Sequence, residues 1–166
     1  SDTLVVTVNN TNDAPVATSD SYSLDEGAVL VVTSDTGVLI NDSDVDATDT
    51  LSAVLLSQPT YASEFAFNSN GSFSYSHNGS EINSDSFTYL ATDTNDNSNS
   101  VTVTLNSSDV NDAPTFTSSL SVLEYEQGSS VAYSVSTFDA DNQVLLTLQT
   151  APDWLTLDES NQLSGD

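Results

Sequence analysis

A short acidic motif ending in proline occurs twice, and its spacing fixes how the chain can be divided. Asp109-Val110-Asn111-Asp112-Ala113-Pro114 places three oxygen-bearing side chains within four residues and closes on proline. Asn10-Thr11-Asn12-Asp13-Ala14-Pro15 is a near copy. The two prolines stand about 100 residues apart, the length of one immunoglobulin-sized sandwich. A proline-closed acidic hexapeptide recurring at domain spacing reads as a metal-clamped hinge between modules. The division that follows is residues 1–9 as the last strand of a preceding domain, 10–15 as a linker, 16–108 as a complete domain, 109–114 as a second linker, and 115–166 as part of a further domain.

The hydrophobic pattern between the hinges is that of β-structure. Tyr22 and Leu24 alternate, and Val29-Leu30-Val31-Val32 is an apolar run, as is Leu51 to Leu56. Phe65 with Phe67, Phe73 with Tyr75, Phe87 with Tyr89, and Val101 with Val103 and Leu105 repeat at period two. No segment holds a 3.6 period over ten residues. Short period-two runs split by Asn, Asp, Ser and Gly predict a β-sandwich. Asn70-Gly71 and Asn78-Gly79 are expected to be hairpin turns that isolate Phe73 and Tyr75 as a short strand. After Thr115 the pattern restarts at Leu120, Val122, Val131, Tyr133 and Val135, then Val144 to Leu148, then Trp154, Leu155 and Leu157. That stretch holds about half the length such a sandwich needs. It is expected to be completed from elsewhere, for example by a strand like residues 1–8 from a neighbouring chain. Ser1 falls in mid-pattern, so the sequence reads as cut from a longer protein whose export signal is not visible.

Charge narrows the function classes. The 166 residues include 25 acidic ones and no Lys, Arg, Cys or Met, for a net charge of −25. Nucleic-acid binding by Lys and Arg against phosphate is excluded, and docking on anionic lipid is disfavoured. No apolar run reaches membrane-spanning length. Without cysteine there is neither a disulfide framework nor a thiolate metal site. No carboxylate can find a Lys or Arg partner within the chain. Two carboxylates about 4 Å apart repel by roughly 4 kcal/mol at an effective dielectric near 20. Clustered aspartates must therefore spread into solvent, take up protons, or bind cations. Dispersal over a solvated, halophile-like surface is the competing account of the charge.

Calcium takes six to eight hard oxygens from carboxylates, amides and carbonyls. Alternate residues of an extended segment point the same way, so Asp-X-Asp would present two carboxylates to one ion. Asp42-Ser43-Asp44-Val45-Asp46 and Asp139-Ala140-Asp141 each follow a hexapeptide by a similar interval. The same order occurring twice is a stronger signal than either part alone.

These residues carry a specific resemblance. Asp109, Asn111, Asp112 and Pro114 fit the linker of bacterial cadherin-like repeats, the kind found in tandem in large surface adhesins. Asn10, Asn12, Asp13 and Pro15 fit it with Asn in place of the first Asp. Gly37 to Asp44 resembles the first acidic loop of such repeats, and Asp85 to Tyr89 followed by Ala91-Thr92-Asp93 resembles their penultimate strand. The last part is similar to a dystroglycan-type cadherin-like domain, through Pro152 to Leu157 and Leu163-Ser164-Gly165; Ser1 to Val8 resembles that domain's final strand. The resemblance implies calcium at both hinges. At the second, Asp109, Asn111 and Asp112 would act with Glu26 from below and with Asp139 and Asp141 of the following domain. At the first, Asn12 and Asp13 would meet Asp44, Asp46 and Asp93. Eukaryotic cadherins add a mid-domain Asp-Arg-Glu, which this Arg-free chain lacks, so one or two ions per hinge are expected rather than three.

Other candidates are weaker. Asp35-Thr36-Gly37 matches the aspartic-protease triplet, but that enzyme needs two. His77 lies in a polar run and reads as a loop histidine. A Ser/His/Asp triad can be drawn in any chain this rich in Ser, and nothing specifies its geometry. Asn-X-Ser sequons such as Asn78-Gly79-Ser80 arise by chance here. Trp154 reads as a core or edge anchor. Glu124 and Glu126 flank Tyr125, and Glu124 would serve a later hinge as Glu26 serves this one. The expectation is an all-β chain of tandem Ig/cadherin-like sandwiches joined by calcium-binding linkers. Its role would be a non-catalytic, calcium-rigidified extender of an extracellular or cell-surface adhesin, with neighbouring repeats, and surface glycans or proteins, as partners. The alternatives are a carbohydrate- or protein-binding module, with Tyr61, Tyr75 and Tyr125 as the aromatics to examine, and a spacer of a secreted enzyme.

Overall fold

The computed structural model describes residues 4, 11–46, 48–119, 131–147 and 155–165. Residues 1–10 apart from Leu4, and Leu120, Val122, Glu124, Tyr125, Glu126, Leu148 and Pro152 to Trp154, lie outside the described residues, so the expectations placed on them, including Asn10 of the first linker motif, end there. The chain forms two compact units, Ser1–Val110 and Asn111–Asp166. Apart from one three-residue 3-10 turn at Ser34–Thr36, all regular structure among the described residues is β.

Unit one has seven strands: β1 Asp20–Asp25, β2 Val29–Val32, β3 Ser52–Ser57, β4 Ala62–Phe67, β5 Phe73–His77, β6 Ser84–Thr92 and β7 Val101–Ser108. They form two sheets, ordered β1-β7-β6-β3 and β2-β5-β4. Period-two patterning explains the layers, since successive side chains leave opposite faces. Phe73, Tyr75, Phe87, Tyr89, Val103 and Leu105 are fully buried between the sheets. Phe87 is the hub, with ring centroids 5.1 Å from Phe65, 5.6 Å from Phe67 and 5.2 Å from Phe73. Truncating such a ring typically costs about 3–5 kcal/mol.

Asn70-Gly71 turns the β4–β5 hairpin, as expected. Asn78-Gly79 does not make a hairpin: it carries the chain from β5 in one sheet to β6 in the other. A two-residue turn signal specifies a local reversal, not which sheet receives the next strand. His77 is the last residue of β5 and is buried, so it is not a loop residue. The segment between β2 and β3 is held by a close backbone approach. A Cβ on Gly37 would stand 2.5 Å from the Gly71 carbonyl oxygen, and Gly71 itself adopts φ +81°. Asp35-Thr36-Gly37 thus belongs to a packed turn.

One pairing matters most for function. First strand β1 lies parallel to last strand β7, with Asp20 opposite Val103 and Asp25 opposite Ser108. Parallel neighbours run the same way, so the chain enters unit one at one end and leaves at the other. The entry point is the leading end of unit one and the exit point its trailing end.

Unit two contains β8 Thr115–Phe116, β9 Val131–Ser134, β10 Thr137–Phe138, β11 Leu155–Leu157 and β12 Gln162–Gly165. They pair as β10-β8 and β11-β12-β9. Residues 144–147 form no strand despite their apolar run, and Leu145 is 88% exposed. Apolar content alone does not supply a strand's hydrogen-bonding neighbour.

Candidate metal centres

At the leading end of unit one, the incoming linker meets two turns. A single antiparallel bridge ties Val16 to Ser43, with Val16 N–H donating to the Ser43 carbonyl at 2.8 Å and Ser43 N–H returning to Val16 at 3.1 Å. This bridge lays residues 13–16 against the Asp42–Asp46 loop. Asp13 N–H then donates to Asp46 Oδ2 at 2.7 Å, and Asp46 N–H to Asp44 Oδ1 at 2.8 Å. The second turn follows β6. There Asp93 Oδ1 accepts the N–H groups of Asn95 and Asp96, both at 2.7 Å. Asn12 Nδ2 joins it to the linker, donating at 2.9 Å to Asp93 Oδ2 and at 2.9 Å to Asp96 Oδ2. Thr94, inside this turn, is held at φ +87°, which is unfavourable for a β-branched residue.

The electrostatics of this end are one-sided. Asp46 and Asp93 are buried, 8% and 4% exposed, in a chain with no Lys or Arg. Asp44 Oδ2 is a buried carboxylate oxygen with no hydrogen-bond partner. Backbone N–H donation from Asp96 and the Asn12 amide hold the Asp93 carboxyl below its usual range, so it stays ionised. A carboxylate oxygen buried without a hydrogen-bond donor, as Asp44 Oδ2 is, is costly, and a bound cation would offset that cost. The linker touches two acidic turns, Asp44–Asp46 through the Asp13 N–H and Asp93–Asp96 through the Asn12 amide, and the side-chain donors they offer are all oxygen. Hard oxygen donors suit calcium, and nothing soft is present to favour zinc or copper.

In an extended segment both carboxylates of Asp-X-Asp would point the same way. The loop is a turn instead. Asp44 bonds the Asp46 N–H across it, and Asp42 faces the other way, accepting Thr18 N–H at 2.8 Å and the Tyr89 hydroxyl at 3.0 Å. Tyr89 Oη also lies 2.7 Å from the Val38 carbonyl and 3.4 Å from Asp20 Oδ2. Burial, then the charge of Asp42, pushes the Asp20 carboxyl up to about 6, against the lowering effect of the Tyr89 and Asn41 hydrogen bonds. Burial also raises Asp42.

Unit two repeats the leading-end pattern. Asp112 N–H donates to Asp141 Oδ2 at 2.5 Å, and Asp141 N–H to Asp139 Oδ1 at 3.0 Å. Asn142 Nδ2 donates to Asn111 Oδ1 at 3.1 Å, and Asn111 Nδ2 to the Asp112 carbonyl at 2.8 Å. At the trailing end of unit one, Glu26 N–H donates to the Ser108 carbonyl at 2.9 Å, and Glu26 Oε2 accepts Val110 N–H at 3.4 Å. Asp109 is exposed just beyond β7.

Sequence reasoning missed Asn95, Asp96 and Asn142. The available signal was local: Asp followed two or three residues later by Asn or Asp forms a turn in which the first carboxylate accepts the later N–H groups. It also missed Asp85. This buried carboxylate accepts Thr60 N–H at 2.9 Å, Tyr61 N–H at 2.7 Å, Ser86 N–H at 2.8 Å and the Tyr75 hydroxyl at 3.1 Å, so its role is to clamp a loop.

Comparison with known proteins gives one family. The sequence profile of the bacterial cadherin-like domain matches residues 12–109. No curated protein matches significantly. Among solved structures, the protocadherin γB4 extracellular domain aligns with TM-score 0.49 and 17% identity, over 92% of this chain and 29% of that one. The human desmocollin-1 ectodomain aligns with TM-score 0.46 and 16% identity, over 91% and 33%. An endo-fucoidan hydrolase of glycoside hydrolase family 107 aligns with TM-score 0.40 and 18% identity, over 96% and 25%. The chain thus spans a quarter to a third of the length of these proteins.

Proposed function

The chain belongs to the bacterial cadherin-like domain family, and from that premise we propose that it is a calcium-rigidified extender of an extracellular adhesin rather than an enzyme. The observation that carries this reading is Asp44 Oδ2, a buried oxygen with no hydrogen-bond partner, in a turn with buried Asp46 where the chain enters the sandwich. At the first hinge the ligands would be Asn12, Asp13, Asp44, Asp46 and Asp93, with Asp96 added by the geometry. At the second they would be Glu26, Asp109, Asn111, Asp112, Asp139 and Asp141. A bound calcium supplies fixed positive charge among these oxygens.

The chain's own residues do the rest. The Val16–Ser43 bridge sets the linker against the acidic loop, and the Asn12 amide gathers Asp93 and Asp96. The parallel β1–β7 pairing puts the incoming and outgoing linkers at opposite ends, which is what stacking modules along one axis requires. Without cation the carboxylates repel and each hinge flexes. Extracellular modules bind calcium at roughly 10⁻⁴–10⁻³ M, so stiffening would occur outside the cell. Neighbouring repeats are then the structural partners, and surface glycans or proteins the adhesive ones. The aromatic-platform reading loses Tyr75, which is wholly buried. Small-angle scattering with calcium and then with chelator tests the proposal. A larger, better-defined long dimension in calcium is expected, and an unchanged radius of gyration and distance distribution would count against it.

A further inference from the structure

The chain carries two Asn-Gly pairs in turns, and the turns differ in what faces the glycine nitrogen. In both, the asparagine Oδ1 accepts the N–H two residues on, at 3.1 Å from Ser72 for Asn70 and 3.1 Å from Ser80 for Asn78. This curls the side chain over the intervening glycine. Gly71 N–H is bound to the Asn68 carbonyl at 3.0 Å, and Leu39 packs against its Cα. Gly79 N–H instead points at His77 Nδ1, 3.2 Å away, and the space around its Cα is open. Gly27 N–H shares that nitrogen, also at 3.2 Å, and Nε2 lies 3.2 Å from the Ile82 carbonyl. A carbonyl only accepts, so Nε2 carries the proton and Nδ1 is a free base; the tautomer is assigned from these partners. The chain's single histidine thus turns its Nδ1 acceptor toward the amide beside an exposed asparagine.

We propose that Asn78-Gly79 is a self-modification site, at which His77 acts as general base for cyclisation of Asn78 to a succinimide. Gly79 N attacks Asn78 Cγ and passes its proton to His77 Nδ1. The tetrahedral carbon then expels Nδ2, which takes the proton back from the imidazolium and leaves as ammonia. Water opens the ring to aspartate or to an isoaspartyl linkage. The turn gains one negative charge and, on the second route, one extra backbone atom. No reagent other than water is consumed.

The test is peptide mapping of the full chain by mass spectrometry during incubation at neutral to mildly alkaline pH. Asn78 should gain about 1 Da roughly tenfold or more faster than Asn70, as expected for an assisting base, and in urea the two rates should converge. Equal rates in the native chain, or a faster Asn70, overturn the proposal. His77→Gln should slow Asn78 while leaving Asn70 unchanged, and an unchanged Asn78 rate in that variant also overturns it. Close-packed Asn70-Gly71 reports whether the variant has kept its fold. If Asn70 accelerates, the wild-type pH–rate profile decides. Attack assisted by His77 rises much less than about tenfold per pH unit, whereas a full tenfold rise marks hydroxide-driven chemistry and contradicts the proposal.

Discussion

The Asp13 backbone N–H donates a 2.7 Å hydrogen bond to the Asp46 carboxylate, 33 residues further along the chain. The same step recurs in unit two between Asp112 and Asp141. In each case the linker is held to the acidic loop through its backbone N–H rather than through its own carboxylate.

Asp44→Asn should act oppositely with and without cation. In chelator the substitution removes a charge one of whose oxygens is buried without a donor and keeps the oxygen that accepts the Asp46 N–H, so the melting temperature should hold or rise. In calcium it removes a ligand, so affinity should fall by roughly tenfold or more. Calorimetric titration and thermal melts of both forms check the pair of effects.

Asp20 gives the metal-free domain an inverted acid response. Its folded pKa, about 6, lies above the ordinary 3.8, so the folded state holds this proton more tightly than the unfolded state. The contribution is complete below 3.8, declines as pH rises through that window, and is gone above about 6. Urea midpoints in chelator should therefore fall between those two pH values. Asp20→Asn should flatten that part of the curve.

Asp85→Ala should destabilise unit one by about 3 kcal/mol or more, because the donors it receives, from Thr60, Tyr61, Ser86 and Tyr75, lose a buried acceptor together. Calcium affinity at the leading end should not change. Equilibrium urea unfolding and a calcium titration separate the two readouts.

Gly37→Ala should cost about 2 kcal/mol, since the added methyl meets the Gly71 carbonyl oxygen and backbone must shift. Asp35→Asn, in the same triplet, should leave stability within about 0.5 kcal/mol, as surface substitutions usually do. Together they distinguish a packing role for Asp35-Thr36-Gly37 from any chemical one.

Strands were legible where side chains alternate. Phe65 and Phe67, Phe73 and Tyr75, and Phe87 and Tyr89 announce their strands because a half-buried strand repeats every two residues. Which sheet each strand joins was not legible. Asn78-Gly79 looks like a hairpin turn, yet β5 and β6 lie in different sheets, because the destination is set by packing across the core. Asp44 and Asp46 could be named as candidates from their spacing, but their geometry could not. The loop is a turn, and Asp42 is drawn to Tyr89, which lies 47 residues away in sequence. Asp96 escaped notice because its place beside Asn12 depends on a contact spanning 84 residues.

The most direct test is a crystal structure grown in millimolar calcium, with anomalous scattering used to locate the ions. Density is expected at about 2.3–2.6 Å from oxygens of Asp44, Asp46 and Asp93. The Asn12 amide should then turn its oxygen toward that density. Carboxylates with no ion among them at that calcium concentration, and Asn12 Nδ2 still bonded to Asp93 and Asp96, would contradict the account.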